Sequence, residues 1–204
     1  EVRMGRAVHD SSLVTRGDMG EEEQLHPLQH HAIGDESRIV VLHGDVMEQA
    51  IAGVIFQLLT LASMNTRPIS LVISTYGGNI DEMFSLYDTI KFLPCPVHTV
   101  ALGKVMSAGV LLLASGKKGN RLIGRSTRVM MHPVSGGVGG NVFQVINDSG
   151  EMQRQQNMIV EAIARETKMS KKKVAEIMAK GHDYYIDAAE AVKLGIVDRI
   201  IGED

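Results

Sequence analysis

Two hydrophobic periods alternate along the chain from Arg38 onward. Short apolar runs of strand length recur, and between them apolar residues return every three or four positions, as in amphipathic helices. The runs predict strands at residues 38–43, 69–73, 97–102, 127–131 and 196–201. The intervening segments predict helices at about residues 45–62, 81–92, 108–114, 141–167, 170–180 and 187–195. Strands and helices that alternate with short connections form right-handed βαβ units, so we expect an α/β fold with a largely parallel sheet.

Polar residues and glycines mark the ends of several predicted helices. Asp45 stands where it can cap the first helix. Asp187 and Glu190 form a pattern similar to a capping box, and Gly195 ends that helix. The helix at 141–167 is polar in its centre, so we expect it to project from the domain or to contact a neighbouring subunit.

Residues 1–37 show neither period. This segment has an acidic triplet and no sustained apolar pattern, so we interpret it as a divergent, mobile N-terminal arm. Residues 38–204 then form one folded domain, in keeping with roughly 100–200 residues per domain. Histidines at positions 26, 30 and 31 have neither cysteines nor carboxylates at ligand spacing, and we expect no metal site.

The composition narrows the class of protein. The chain has 204 residues, of which 44% are hydrophobic and 22% charged, as in folded globular proteins. Its net charge of −3 leaves no basic excess for neutralising nucleic-acid phosphates. A single cysteine, and no apolar run long enough for a membrane span or signal peptide, predict a cytoplasmic protein. We expect no cofactor, because the sequence lacks a phosphate-binding Gly-x-x-x-x-Gly-Lys-Ser/Thr loop.

Two strand-to-helix junctions carry residues suited to chemistry, and ligands of open α/β sheets bind at such edges. The first junction is residues 76–79, where Gly77 and Gly78 allow N–H groups to turn towards one point and hold an oxyanion. The pair equally suits a plain tight turn, and the sequence leaves both interpretations open.

The second junction, residues 103–109, places Ser107 at the start of a predicted helix among small residues. Unpaired N–H groups and the positive end of the helix dipole would lie beside its hydroxyl. This setting suits a nucleophile, although the residues around it do not form a Gly-x-Ser-x-Gly elbow. It also suits a serine that only caps the helix, so both roles remain open.

A serine nucleophile needs a base and a group that orients the base. His132 follows a predicted strand and precedes Pro133, which favours an active-site edge over a core position. Asp183 and Asp187 both lie downstream, and the capping role of Asp187 leaves Asp183 as the better partner. Ser107, His132 and Asp183 are therefore a candidate catalytic triad, in a different order from the Ser…Asp…His of α/β-hydrolases.

Four blocks of the sequence resemble the Clp protease proteolytic subunit, ClpP, a self-compartmentalising serine peptidase. They occur in the family's order and at family-like separations, and together they span about four fifths of the chain. The blocks are residues 74–78 with 88–92, 103–114, 128–132, and 188–192 with 195–198.

This resemblance implies a role for each candidate residue. Ser107 would be the nucleophile, His132 the general base and Asp183 its partner. The backbone N–H groups of Gly78 and Ala108 would form the oxyanion hole. The residues implied to hold the substrate are Gly77, Asn79, Ile80, Pro133, Ser135 and Gly136.

The resemblance also implies an architecture and partners. The fold would be a spiral of ββα units related to the crotonases, with a protruding handle at about residues 133–167. Heptameric rings would stack into a tetradecamer that encloses the active sites. An AAA+ unfoldase would feed unfolded polypeptides or peptides into the chamber.

Some positions depart from the family pattern. Tyr76 replaces the usual proline and Ala108 the usual methionine, but neither change removes a backbone donor. Three positions that usually hold aromatic residues for docking the unfoldase hold Ser70, Val72 and Leu122. The chain therefore resembles a divergent member, such as a phage-encoded form or a secondary paralogue, with an atypical docking surface.

Two other functions share parts of this pattern. A crotonase-fold lyase or hydratase would use the same glycine pair, but it needs an Asp or Glu near residues 106–109, and none is present. A non-catalytic ring subunit would have lost its triad, whereas all three positions are filled here.

Overall fold

The structure, a computed structural model, describes residues 37–203; the predicted arm at 1–37 lies outside this range except for Ser37. The strands are β1 (Ile39–His43), β2 (Ile69–Thr75), β3 (Val97–Met106), β4 (Arg121–Ile123), β5 (Arg128–Met131), β6 (Tyr184–Ile186) and β7 (Arg199–Ile200). The helices are α1 (Glu48–Met64), α2 (Ile80–Phe92), α3 (Ala108–Ala114), α4 (Val142–Glu166), α5 (Lys171–Met178) and α6 (Ala188–Leu194).

A largely parallel sheet organises the domain, as the alternation of strands and helices predicts. Its order is β1-β2-β3-β4-β7, and every pair along this path is parallel. The long strand β3 pairs with β4 through Thr99–Ala101 and then with β5 through Lys104–Met106. Strand β5 also pairs with β6, and this pairing is antiparallel. The carboxyl ends of β2, β3 and β5 therefore lie side by side.

Asp45 does not cap α1, contrary to the prediction. The helix begins at Glu48, and the preceding residue, Met47, makes no side-chain capping bond. The chain is still extended at Val46, because Val46 N–H donates to the Gly77 carbonyl and Asn79 N–H donates to the Val46 carbonyl. This isolated bridge delays the helix and attaches its entry to the predicted oxyanion turn.

The long helix α4 is buried only near its C-terminal end. Asn141 caps it in a capping box with Gln144, so the predicted boundary is confirmed. Ile159 and Ile163 are buried in the domain, so this apolar end needs no partner. Near the other end, three apolar side chains are 65–84% exposed: those of Val142, Phe143 and Ile146.

A polar network fixes the root of α4. Glu166, which is buried, accepts a hydrogen bond from Tyr87 Oη at 2.7 Å and pairs with Lys91 Nζ at 2.9 Å. Burial and the hydrogen bond to Glu166 raise the pKa of Tyr87 to about 12, so Tyr87 stays a neutral donor. The Glu166 carbonyl accepts from Arg121, which tethers the helix end to β4.

Arg121 also forms the most enclosed ion pair of this network. Its guanidinium donates to both oxygens of Asp198, at 2.6 and 2.9 Å. Burial acts to raise the pKa of Asp198, but the hydrogen bonds and charge of Arg121, with a bond from Gly119 N–H, outweigh it and lower that pKa. The pair therefore stabilises the fold in its ionised form.

Candidate active site

Ser107 occupies the turn between β3 and α3 in a strained backbone conformation. Its φ is 53° and its ψ −122°, and it is the one non-glycine residue with a positive φ between residues 37 and 203. Its hydroxyl makes no capping bond to α3. The helix-cap interpretation of Ser107 therefore does not hold, and strain of this kind is characteristic of functional positions.

His132 lies directly after β5 and faces Ser107. Its Nε2 atom is 2.7 Å from Ser107 Oγ. The backbone supports this approach, because Ser107 N–H donates to the carbonyl of Met130 at 2.8 Å and β3 runs alongside β5. A neutral imidazole with an unprotonated Nε2 can take the hydroxyl proton at this distance.

Asp183 and His132 each lie one residue beyond the last β5–β6 pair, and they do not bond to each other. The antiparallel pairing of β5 and β6 ends with Met131 opposite Tyr184, so the following pair in the same register would be His132 and Asp183. The Asp183 carboxylate is exposed and accepts a hydrogen bond from Tyr185 Oη at 3.3 Å. Within residues 37–203, no hydrogen bond reaches the Nδ1 atom of His132.

Asp187 caps helix α6, as the sequence predicts. Asp187 accepts from the backbone N–H of Glu190 at 2.8 Å and caps α6, which Gly195 ends in the left-handed conformation. A hydrogen bond to Glu190, and then burial, raise the pKa of Tyr184. The bonds of Glu190 to Asp187 and to Tyr184 fix β6 against α6. Asp183 lies just before the first residue of β6.

The turn after β2 brings two glycines against Ser107. A Cβ on Gly77 would lie 2.6 Å from the Cβ of Ser107, and a Cβ on Gly78 would overlap the backbone of Val46. Both have positive φ, 104° and 153°, so glycine is required for conformation and for space. In the described part of the chain, the N–H groups of Gly78 and Ala108 donate to no acceptor, and each adjoins the serine.

A cavity of about 70 Å³ opens beside the serine and histidine. Gly78, Ile80, Ala108, Pro133 and Ser135 line it with Ser107 and His132, so these predicted residues come together. The sequence did not identify the apolar lining, which comes from Met83, Leu111, Met131, Val134, Ile159, Ile163 and Met178. The four-residue spacing of Ile159 and Ile163 was the signal in the sequence that could have indicated this lining, because it puts both side chains on one face of α4.

Three predicted substrate residues, Gly77, Asn79 and Gly136, are not among those that line this cavity. Asn79 caps α2, because its side-chain oxygen accepts from the N–H groups of Asp81 and Glu82. Gly136 lines a second, wider groove of about 660 Å³ between the segment after β5 and helices α4 and α5. The two spaces share Pro133 and Val134, so a ligand along this segment would pass from one into the other.

Most of the side chains that line the cavity are apolar, and no carboxylate is among its lining residues from the described part of the chain. Across residues 37–203, no three His, Cys, Asp or Glu side chains converge on one point to hold a metal ion. No helix in the same range is long and apolar enough to cross a membrane. The chemistry available beside Ser107 is therefore that of its hydroxyl, the imidazole and the free N–H groups.

Comparisons with known proteins identify the family of the chain. The chain is 30% identical over 208 residues to an ATP-dependent Clp protease proteolytic subunit 1 of Rhodopirellula baltica, covering 96% of this chain and 91% of that protein. It is 32% identical over 185 residues to a proteolytic subunit 2 of Chlamydia trachomatis, covering 90% and 89%. It is 31% identical over 167 residues to a proteolytic subunit 2 of Treponema pallidum, covering 81% and 83%.

The match extends over most of the chain, and its low identity fits a divergent member. The family model for Clp protease covers residues 28–204. The parallel sheet, the flanking helices and the projecting α4 are the architecture that such a match predicts. The chain belongs to the Clp protease family, as a ClpP-type peptidase.

Proposed function

We propose that the chain is a serine endopeptidase in which Ser107 is the nucleophile, His132 the general base and Asp183 the group that orients the base. The observation that carries this proposal is the 2.7 Å contact between Ser107 Oγ and His132 Nε2 at a strained strand-to-helix turn. A serine that only capped a helix would bond to that helix, and this one does not.

The residues supply each step of acyl transfer. Ser107 Oγ attacks the scissile carbonyl while its proton passes to Nε2 of His132. The N–H groups of Gly78 and Ala108 stabilise the oxyanion that forms. His132 then gives the proton to the leaving amine, and the C–N bond breaks to leave an acyl-serine. Water, deprotonated by His132, releases the acid and restores Ser107.

Asp183 completes the triad by a side-chain rotation. The β5–β6 register supports this, because one further pair would set Asp183 opposite His132, and within residues 37–203 the carboxylate has one hydrogen bond, at 3.3 Å from Tyr185. Turning towards Nδ1 would give the imidazole the hydrogen bond that it lacks within the described residues. This bond would fix the tautomer and stabilise the imidazolium.

The substrate is an extended, unfolded polypeptide or a peptide. The apolar side chains that line much of the cavity beside Ser107 favour an apolar side chain next to the scissile bond. Residues 133–136 run along the cavity, and a peptide can add to them as a strand. Ile80 lines the cavity at the start of α2, and Gly77 and Asn79 would contact the substrate next to it.

The working form is a pair of stacked heptameric rings, a tetradecamer. The exposed apolar side chains of Val142, Phe143 and Ile146 support this, because a lone domain leaves them in solvent. An AAA+ unfoldase of the cytoplasm delivers the substrate to this chamber, and the peptidase domain spans residues 38–204, after an N-terminal arm at 1–37. Phe92, 79% exposed, is an aromatic residue available for docking the unfoldase.

Labelling with a fluorophosphonate probe tests the proposed nucleophile. Wild type and Ser107→Ala are incubated with the probe, and the labelled residue is identified by peptide mass mapping. We expect stoichiometric labelling at Ser107 in wild type and none in Ser107→Ala. Equal labelling of both proteins, or no labelling of assembled wild type, contradicts the proposal.

A further inference from the structure

Within residues 37–203, one hydrogen bond ties residues 133–140 to the rest of the domain. Pro133 has no N–H to donate, so Val134 is the first donor after His132. Val134 N–H donates to the side-chain oxygen Oε1 of Gln156 at 2.7 Å. Within residues 37–203, the N–H and carbonyl groups of residues 135–140 have no hydrogen-bond partner. The position of this segment therefore depends strongly on Gln156.

Gln156 lies on the face of α4 that supports the proposed site. Ile159 and Ile163, three and seven residues further on, line the cavity beside Ser107. Met152, one turn earlier, approaches Gly136, where an added Cβ would lie 3.5 Å from its Cε atom. One face of α4 thus packs against the cavity and against the segment that borders it.

The direction of the bond decides which backbone groups face a substrate. The Val134 N–H is bound to α4, whereas the backbone groups of Ser135 have no hydrogen-bond partner within residues 37–203, and Ser135 lines the cavity with Ser107.

We propose that Gln156 is a positioning residue that holds residues 134–136 in register for an incoming peptide. This inference rests on the proposed peptidase function. Gln156 acts on peptide binding and leaves the reactivity of Ser107 unchanged, because His132 is held independently by the pairing of β5 with β3 and β6. The proposed role depends on the acceptor oxygen Oε1 of Gln156 and does not depend on the rest of its amide group.

Three variants separate this role from a general disturbance of α4. Gln156→Leu removes the acceptor at similar volume, and Gln156→Glu keeps an acceptor oxygen. Gln155→Leu is the matched control, since Gln155 lies on the same helix but not among the residues that line the groove, and its amide donates to Asp81. KM and kcat are measured with a fluorogenic peptide that extends on both sides of the scissile bond. Fluorophosphonate labelling rates and light scattering are measured on the same preparations.

For Gln156→Leu we expect KM to rise about two- to tenfold, the effect of one hydrogen bond. Gln156→Glu and Gln155→Leu should stay within about twofold of wild type, and the labelling rate of Ser107 should not change. An unchanged KM in Gln156→Leu, or an equal rise in Gln155→Leu, overturns the inference. Should Gln156→Leu fail to assemble, Gln156→Met is measured in its place under the same criteria. Failure of wild type to label at Ser107 would instead count against the proposed function.

Discussion

At the scale of single residues, Ser107 combines strain with reactivity. Its φ of 53° costs of the order of 1–3 kcal/mol for a non-glycine residue. The Ser107 N–H bond to Met130 and the Val110 N–H bond to the Ser107 carbonyl hold this conformation. The strain directs the hydroxyl towards His132 and away from the helix.

A pair of substitutions measures this strain. Ser107→Ala and Ser107→Gly both remove the hydroxyl, but only glycine relieves the positive φ. We expect Ser107→Gly to be more stable than Ser107→Ala by about 1 kcal/mol, measured by denaturant unfolding of both assembled proteins. If Ser107→Gly is the less stable of the two, the conformation is not strained.

His132 should make hydrolysis sensitive to acid. A protonated imidazole cannot accept the proton of Ser107, so kcat/KM for a short peptide should fall from about pH 8 to about pH 5. Light scattering at each pH provides the control that the assembly is intact. A constant rate across this range would exclude His132 as the base.

Asp183 should matter for turnover and little for stability. Its side chain is exposed, so Asp183→Asn should leave the unfolding midpoint unchanged. We expect kcat to fall by up to about 10⁴-fold, because asparagine favours the wrong tautomer of the imidazole. Asp187→Asn, which retains the helix cap, is the control. An equal loss of kcat in both variants would contradict the choice of Asp183 over Asp187 as the partner of His132.

The sequence predicts the identity of these residues better than their contacts. Ser107 and His132 stand at strand ends, and a parallel sheet brings such ends together, so their proximity could be predicted. That the Asp183 carboxylate does not bond to His132 could not be predicted, because its orientation depends on the local contact with Tyr185. The delayed start of α1 could not be predicted either. It follows from a bridge between Val46 and Gly78, which are far apart in sequence.

At the scale of elements, pattern length decides what could be predicted. Helix α3 and strand β2 carry runs long enough to define a period. Strands β4 and β6 have three residues each, too few for an alternating pattern, and both escaped prediction. Strand β6 matters for the site, because its antiparallel register supplies the only backbone argument for Asp183.

The ion pair behind α4 should make stability depend on acidity. The pKa of Asp198 is lowered in the fold, so its contribution is complete above the unfolded value of about 3.9 and is lost as pH falls through the folded value. We expect Asp198→Asn to lower the free energy of unfolding by about 1–3 kcal/mol at neutral pH. The difference from wild type should shrink below about pH 4. A difference that is independent of pH, measured in denaturant titrations, would contradict this role.

At the scale of the whole molecule, α4 presents an apolar surface that the domain does not cover. Phe143 is 84% exposed, and we expect Phe143→Glu to weaken ring stacking, because it places charge in an apolar interface. Light scattering should then give a species of half the wild-type mass, with lower peptidase activity. Phe92→Glu, at the end of α2, is the control and should keep the full mass. Unchanged mass in Phe143→Glu would locate the interface elsewhere.

The central claim is that Ser107 performs the chemistry, and hydrolysis of a short fluorogenic peptide tests it most directly. Purified wild type and Ser107→Ala are compared at matched assembly, verified by light scattering, near neutral pH. We predict that Ser107→Ala loses nearly all turnover, retaining at most the roughly 10³–10⁴-fold acceleration over water that an oxyanion hole and binding supply. Turnover at the wild-type rate in Ser107→Ala would contradict the account.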